Sequence, residues 1–123
     1  MSLNTPEPAP IPNAGQSVWP LVIADIRRKL PLALPKSYQN VLELLAADCI
    51  ERGTVGTAKH KTPLCVGDGR RGLIDAYQES LDLVVYLKKS YEEETSDDRK
   101  KRLRVQYYRS LRLAADLRTL LID

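Results

Sequence analysis

Residues 75–89 read DAYQESLDLVVYLKK, and their apolar spacing of three and four predicts a helix with one buried face. Three carboxylates share another side of this helix, because Asp75, Glu79 and Asp82 fall on one stripe. At roughly 100° per residue, the stripe and Tyr86 lie within an arc of about 60°. Like charges four residues apart destabilise a helix by about 0.2–0.5 kcal/mol per pair. The stripe therefore predicts a positively charged partner.

The composition is typical of a globular protein with one modest core. Of the 123 residues, 43% are hydrophobic and 28% are charged, and the chain has no Phe and one Trp. No apolar run approaches the roughly 18 residues that span a bilayer, and the N-terminus lacks the pattern of a secretory signal. Cys49 and Cys65 do not have the spacing of a metal site, and two cysteines are too few for a disulfide framework. We therefore expect a reduced protein in the cytoplasm.

The formal net charge of +3 conceals an uneven distribution of charge along the chain. Residues 99–112, RKKRLRVQYYRSLR, are strongly basic, whereas the acids cluster in the middle of the sequence. A basic helix can bind phosphates, but such charge is more often a solvated face, and no nucleic-acid-binding motif accompanies it. We therefore expect neither a membrane nor a nucleic acid as the partner. A nucleic-acid or protein adaptor that uses this helix is kept as a third interpretation.

Hydrophobic spacing along the whole chain predicts an all-α protein, a bundle of about four helices. No segment has the clean period-two alternation of a strand. Four prolines within residues 1–16 predict a disordered, Pro-rich tail, and residues 17–123 are predicted to form a single domain. The predicted helices run from after Ser17 to about Leu30, from Ser37 to Gly53, from Arg71 to Glu93, and from Asp97 to Leu121.

A second acidic pair lies on the predicted helix that ends at Gly53. Asp48 and Glu51 are about 60° apart around that helix, and 27 residues separate Glu51 from Glu79. Two antiparallel helices could therefore direct four carboxylates into one gap. Without a counterion these groups would repel one another, whereas Mg²⁺ takes oxygen ligands and keeps positions open for water and phosphate. The spacing predicts Mg²⁺, with Mn²⁺ as an alternative, and the competing interpretation is a solvated acidic face.

The long connection and the helix after it resemble a known family. Residues 51–89, ERGTVGTAKHKTPLCVGDGRRGLIDAYQESLDLVVYLKK, are similar to the MazG-like all-α nucleoside triphosphate pyrophosphohydrolases, and more narrowly to MazG-like proteins of phages and prophages. The resemblance extends over about residues 46–90, and DAYQESLDL is its specific part. It implies Mg²⁺-dependent cleavage of a nucleoside triphosphate to a monophosphate and pyrophosphate. If a phage encodes the chain, the compartment would be the host cytoplasm.

The resemblance also implies roles for particular residues. The metal ligands would be Asp48, Glu51, Glu79 and Asp82, of which Glu51 and Glu79 would also be catalytic. The residues that would contact the nucleotide or its phosphates are Lys59, His60, Lys61, Arg70, Asp75 and Tyr86. The alternative function is a non-catalytic phage-type protein that sequesters a nucleotide or a nucleotide-derived defence signal.

The sequence departs from the family pattern in ways that leave the substrate open. Where the family has Tyr-Gly after the lysine, this chain has His60-Lys61, and where it has Asn-Gly-Arg-Asp, this chain has Asp68-Gly69-Arg70-Arg71. The first acid is Asp48 rather than the more usual Glu. These changes make the connection more basic, which preserves phosphate binding while altering the choice of nucleotide.

Self-association is a further implication of the resemblance, because MazG-like proteins complete their helical bundles by pairing subunits. The partners expected from the sequence are therefore a nucleotide-type small molecule and a second copy of the chain, as a homodimer or a higher assembly. The apolar face of the last predicted helix would contribute to that interface, through Leu103, Tyr107, Leu111, Ala114 and Leu117.

Overall fold

Five α-helices build the fold of residues 3–122, the part of the chain that the computed structural model describes. The chain is 71% helical and has no strand in the described range, so the prediction of an all-α protein is confirmed. None of the described helices has the length and apolar content needed to cross a bilayer. The helices are α1 (Trp19–Arg28), α2 (Leu30–Ala33), α3 (Gln39–His60), α4 (Gly72–Glu93) and α5 (Asp97–Leu120), with a 3-10 turn at Lys36–Tyr38 before α3.

These helices form two compact units. The α1–α3 unit is Pro8–Arg70, and the α4–α5 unit comprises the described residues on either side of that range. The single domain predicted for residues 17–123 stays a prediction.

The core of the α1–α3 unit forms where α1 and α2 pack on the first half of α3. Ile26, Leu42 and Ala46 are buried there, and Leu30, Leu34 and Cys49 pack around them as half-buried neighbours. Burying a Leu or Ile side chain contributes about 1.5–3 kcal/mol, so these few residues hold the three helices together. Cys49 contributes to this core as a small apolar side chain.

The α3 helix is longer than the sequence predicts, because it continues through Gly53 and ends at His60. Gly53 is buried, and a Cβ atom at this position would lie 2.9 Å from Cγ of Trp19. Gly53 therefore does not end the helix. It allows the indole of Trp19 to approach the backbone of α3. The prediction was wrong because a packing contact between helices outweighs the roughly 1 kcal/mol that Gly costs a helix.

The N-terminal segment of the α1–α3 unit runs alongside the loop after α3, with backbone hydrogen bonds between them. The N–H of Ile11 donates to the carbonyl of Asp68 at 2.7 Å, and the N–H of Val66 donates to the carbonyl of Gln16 at 2.9 Å. Gly15 fits closely here, because a Cβ would lie 2.4 Å from the Val66 carbonyl oxygen. The sequence analysis, which placed residues 1–16 in a tail outside the core, did not anticipate these partners.

The α4–α5 unit is an antiparallel helix pair that turns at residues 94–96. Ser96 caps α5 by accepting a hydrogen bond from the N–H of Arg99 at 3.4 Å. The backbone N–H of Ser96 and the guanidinium of Arg99 hold the pKa of Glu94 below its ordinary value. The turn is therefore fixed by one hydroxyl and one carboxylate.

Small residues line the contact between α4 and α5. Ser80 and Ser110 are buried, and each hydroxyl donates at 2.6 Å to the carbonyl three residues earlier in its own helix. Ala114 is also buried on this side. Because these side chains are small, the two helix backbones can approach closely. Both serine hydroxyls donate a hydrogen bond, so neither buried donor lacks a partner.

Most of the residues that the sequence analysis assigned to a subunit interface lie on this same side of α5. Leu103, Tyr107 and Leu117 are half-buried and Ala114 is buried, whereas Leu111 is 37% exposed. The Lys88 ammonium of α4 lies 5.3 Å from the centre of the Tyr107 ring. This face of α5 is thus used within the helix pair, and any surface for a second copy must be sought elsewhere.

The contact between Trp19 and Gly53 can be tested with two matched glycine substitutions. Gly53→Ala gains up to about 1 kcal/mol of helix propensity but forces a Cβ against the indole, and overpacking costs about 1–3 kcal/mol. We expect a net loss of about 1 kcal/mol in the free energy of unfolding, measured by urea titration. Gly56→Ala, in the same helix, meets nothing within 4 Å and should gain about 0.5–1 kcal/mol. Stabilisation by both substitutions would contradict the packing role of Gly53.

Candidate functional site

The acid stripe of α4 lies on the side of the helix that faces away from α5. Ile74 and Ser80 are buried on the packing side, whereas Glu79 and Asp82 are exposed. At roughly 100° per residue, the centre of the stripe is nearly opposite the packing side. Asp75 lies on the same stripe in the first turn of α4 and is half-buried. The stripe is therefore available to a ligand in solution.

The acidic pair of α3 has a similar position in the α1–α3 unit. Leu42, Ala46 and Gly53 are the buried residues of this helix, and Asp48 and Glu51 lie well away from them around the helix and are exposed. Because α3 continues beyond Gly53, this pair lies in the middle of a 22-residue helix. Both carboxylates thus project from the middle of α3 and not from one of its ends.

The four carboxylates differ from most other acids of the chain in having no ionic partner. Among the described residues, none of the four forms a hydrogen bond or a salt bridge. Elsewhere on α4, Glu92 accepts from Lys88 at 2.9 Å, and this hydrogen bond holds the pKa of the Glu92 carboxyl below its ordinary value. Other charged residues of α4, α5 and the turn between them form the pairs Lys89–Glu93, Arg99–Glu94, Arg102–Asp98 and Arg112–Asp116.

Oxygen ligands of this kind fit a hard divalent cation. Mg²⁺ is usually held by one or two carboxylates while waters and phosphate oxygens complete its shell, so either pair alone can supply the protein ligands of one ion. Within residues 3–122, no group of three or more His, Cys, Asp or Glu side chains is close enough to hold a metal. The Asp48–Glu51 and Glu79–Asp82 pairs belong to different units, and the joint site of four carboxylates stays a prediction.

The basic residues predicted to lie in a loop are at the end of α3. Lys59 and His60 form its last turn, and Lys61 ends the helix in the left-handed conformation with φ of 61°. All three side chains are exposed. Their assignment to a loop was wrong because the helix does not stop at Gly53, yet basic residues in a last turn are stabilised by the helix dipole. Phosphate contacts by these residues remain a prediction.

Arg70 is held by the N-terminal segment of its own unit. Its guanidinium donates to the carbonyl of Pro8 at 2.7 Å, and its backbone N–H donates to Oδ1 of Asp68 at 3.0 Å. Asp68 is buried, and its Oδ2 has no hydrogen-bond partner among the described residues. The sequence analysis proposed Arg70 for phosphate binding, and the structure assigns it a role in ordering the loop before α4.

Exposed apolar side chains accompany both acidic pairs, and the sequence analysis did not identify this feature. Tyr86 is 65% exposed at the end of the acid stripe, and Val85 beside it is equally open. On α3, Val41 and Leu44 are more than half exposed on the side that carries Asp48. The sequence signal for this feature is the apolar pattern of α3, which covers more of the helix surface than one contact face needs. Large exposed apolar side chains in a cluster indicate a binding surface.

Comparison with protein-family models, with curated proteins and with solved structures gives no match to this chain. The resemblance to the MazG-like family therefore rests on the residues quoted above, and it enters the functional argument only as a proposal.

A divalent cation should stabilise the protein if the acidic pairs are ligands. We expect Mg²⁺ or Mn²⁺ at millimolar concentration to raise the thermal midpoint of the wild type, because a ligand that binds only the folded state stabilises it. The double substitution Glu79→Gln with Asp82→Asn should abolish most of that increase. Glu92→Gln is the matched control on the same helix, since Glu92 is ion-paired with Lys88. An equal increase in all three proteins would show that the stripe binds no metal.

Proposed function

We propose that the protein is a Mg²⁺-dependent nucleotide pyrophosphohydrolase of the MazG-like type. The observation that carries the proposal is the pair of exposed carboxylates on each long helix, Asp48 with Glu51 and Glu79 with Asp82, which have no ionic partner among the described residues. Unpaired carboxylates three residues apart add repulsion without gain unless a cation binds. The similarity of DAYQESLDL to the family supports the choice of reaction.

The residues divide into two chemical roles under this proposal. The first role is metal binding, in which Asp48 with Glu51 and Glu79 with Asp82 would hold Mg²⁺, each pair on its own helix. When bound, Mg²⁺ supplies positive charge that neutralises the triphosphate and makes its phosphorus atoms more electrophilic. Glu51 and Glu79 would orient the attacking water and accept its proton. The α–β anhydride bond then breaks, and a nucleoside monophosphate and pyrophosphate are released.

Basic side chains would hold the substrate for this reaction. Lys59, His60 and Lys61 are exposed at the end of α3, where their positive charge attracts a polyphosphate. Tyr86, on the stripe of α4, offers an exposed aromatic ring for a base or sugar. The same features suit a protein that binds a nucleotide without cleaving it, so sequestration is the alternative outcome of the test below.

Hydrolysis is tested by incubating the protein with each nucleoside triphosphate and Mg²⁺ and measuring pyrophosphate. We expect release from at least one nucleotide and a loss of more than about 100-fold in Glu79→Gln, because an amide oxygen is a poorer ligand and cannot accept the proton. Glu43→Gln, an exposed acid of α3 outside the pairs, is the control and should keep full activity.

Calorimetric titration with the same nucleotides separates the two functions. Tight binding without pyrophosphate would replace hydrolysis by sequestration. Absence of both binding and product for every nucleotide tested would refute the nucleotide site altogether.

We also propose that the exposed apolar side chains beside the acidic pairs contact a second copy of the chain. Leu44 is 65% exposed next to the exposed Val41 on α3, and Val85 is 63% exposed next to the exposed Tyr86 on α4, so apolar side chains are grouped beside each acidic pair. Covering them would exclude water from the neighbouring carboxylates and strengthen their attraction for a cation.

This assembly is tested by light scattering coupled to gel filtration. The wild type should have the mass of a dimer or a larger assembly at about 10 μM, and Leu44→Glu or Val85→Glu should shift it toward the monomer because a carboxylate buried beside the acidic pairs has no cationic partner there. Asn40→Glu is the control, an exposed polar position on α3 that should not change the mass. A monomeric wild type would exclude this interface.

A further inference from the structure

The outward side of α5 carries a continuous basic surface. It lies opposite the face that contains the buried Ser110 and Ala114, and it forms a shallow groove open to solvent. We call it the α5 basic surface, and its residues are Lys101, Arg104, Val105, Tyr108, Arg109 and Arg112. None of them belongs to the acidic pairs or to the basic end of α3, so this surface is independent of the proposed nucleotide site.

The charge of this surface is not neutralised by the helix that carries it. The α5 helix contains eight basic residues and three acidic ones. Arg112 is paired with Asp116 at 3.1 Å, but Lys101, Arg104 and Arg109 have no acidic partner among the described residues. A helix face that is only solvated often pairs its charges at a spacing of four, as Lys88 and Lys89 do on α4. Three uncompensated cations on one side indicate an anionic partner.

An exposed aromatic ring lies among these cations. Tyr108 is 58% exposed, and the Arg104 guanidinium lies 5.8 Å from the centre of its ring. The ring of Tyr107 packs against it edge to face at 5.3 Å, which limits the movement of Tyr108. A fixed, exposed aromatic ring bordered by cations offers a stacking surface for a base as well as charge for a phosphate.

We propose that the α5 basic surface binds a nucleic-acid strand, with Lys101, Arg104 and Arg109 on its phosphates and Tyr108 stacked on a base. Arg109 lies eight positions after Lys101, a rise of about 12 Å along the helix. That length corresponds to about three or four nucleotides at roughly 3.4 Å each. The sequence alone favoured a solvated face, and the pairing of the charges and the exposure of Tyr108 are what the structure adds.

A protein partner fits this surface less well. Lys101, Arg104 and Arg109 have no acidic partner among the described residues, so the occupant must bring several negative charges at close spacing, which a nucleic-acid strand carries on every nucleotide. The acid stripe of a second copy is the competing occupant, and the experiment below distinguishes the two.

Binding is measured by fluorescence anisotropy with a labelled single strand of about 20 nucleotides and with the matching duplex, at about 50 mM salt. We expect micromolar affinity that falls steeply as salt is added. The triple substitution Lys101→Gln, Arg104→Gln and Arg109→Gln should weaken binding at least 10-fold and reduce the salt slope by about 2. Tyr108→Leu should weaken binding of the single strand more than that of the duplex, because only unpaired bases stack on the ring.

The matched control removes the same charge from the other unit. Arg27→Gln, Arg28→Gln and Lys36→Gln change three exposed basic residues of the α1–α3 unit and should alter the affinity less than 2-fold. Glutamine is a good helix former, so helicity by circular dichroism should be unchanged. If the triple variant of α5 unfolds, Lys101→Gln with Arg109→Gln replaces it, with an expected loss of at least 4-fold.

Three results would overturn the proposal. One is the absence of any anisotropy change with the wild type at low salt. Another is an equal loss of affinity in the control variant, which would mean that overall charge, and not α5, attracts the strand. The last is a triple variant that dissociates in light scattering yet binds the strand as well as the wild type, which would assign the surface to a second copy.

Discussion

The contact between the indole of Trp19 and the backbone at Gly53 is the constraint on which the α1–α3 unit depends. It brings α1 against the second half of α3 so closely that a Cβ at position 53 would force the indole to shift. The two helices can then meet along their length, from the buried Ile26 and Leu42 at one end to the indole at the other. Because α3 remains helical through this contact, Asp48 and Glu51 project from its middle, and Lys59 and His60 follow two turns later on the same helix.

Much of the helical architecture could be predicted from the sequence, since periodicity and caps are local. The positions of α4 and α5 agree with the predicted ones to within a residue, because the spacing of Leu and Tyr and the Ser96 cap define them. The end of α3 could not be predicted in this way. Glycine is a local signal for a helix end. Gly53 does not end α3 because it packs against Trp19, which lies 34 positions earlier in the chain.

The residues of the candidate site could be predicted from the sequence, whereas their arrangement in space could not. The spacing of the acids identifies Asp48, Glu51, Glu79 and Asp82, but periodicity does not tell which helix face is left open. The apolar residues at 41, 42, 45 and 49 indicate one broad face of α3. The structure uses only part of it, with Leu42 buried and Val41 more than half exposed. Ion pairing on α4, by contrast, follows local spacing, because Glu92 lies four residues after Lys88, whereas the residues four before and after Glu79 are Asp75 and Leu83.

The hydrogen bonds at the start of the chain have a consequence for synthesis on the ribosome. The side-chain amide of Gln78 donates to the carbonyls of Leu3 and Thr5, at 2.8 and 2.9 Å, and the α4–α5 unit thus includes residues from both sides of the other unit. Leu3 precedes Gln78 by 75 positions, so at about 5–20 residues per second it is made roughly 4–15 s before its partner. During that interval the whole of the α1–α3 unit, Pro8–Arg70, is synthesised, while residues 3–5 have no α4 helix to bind.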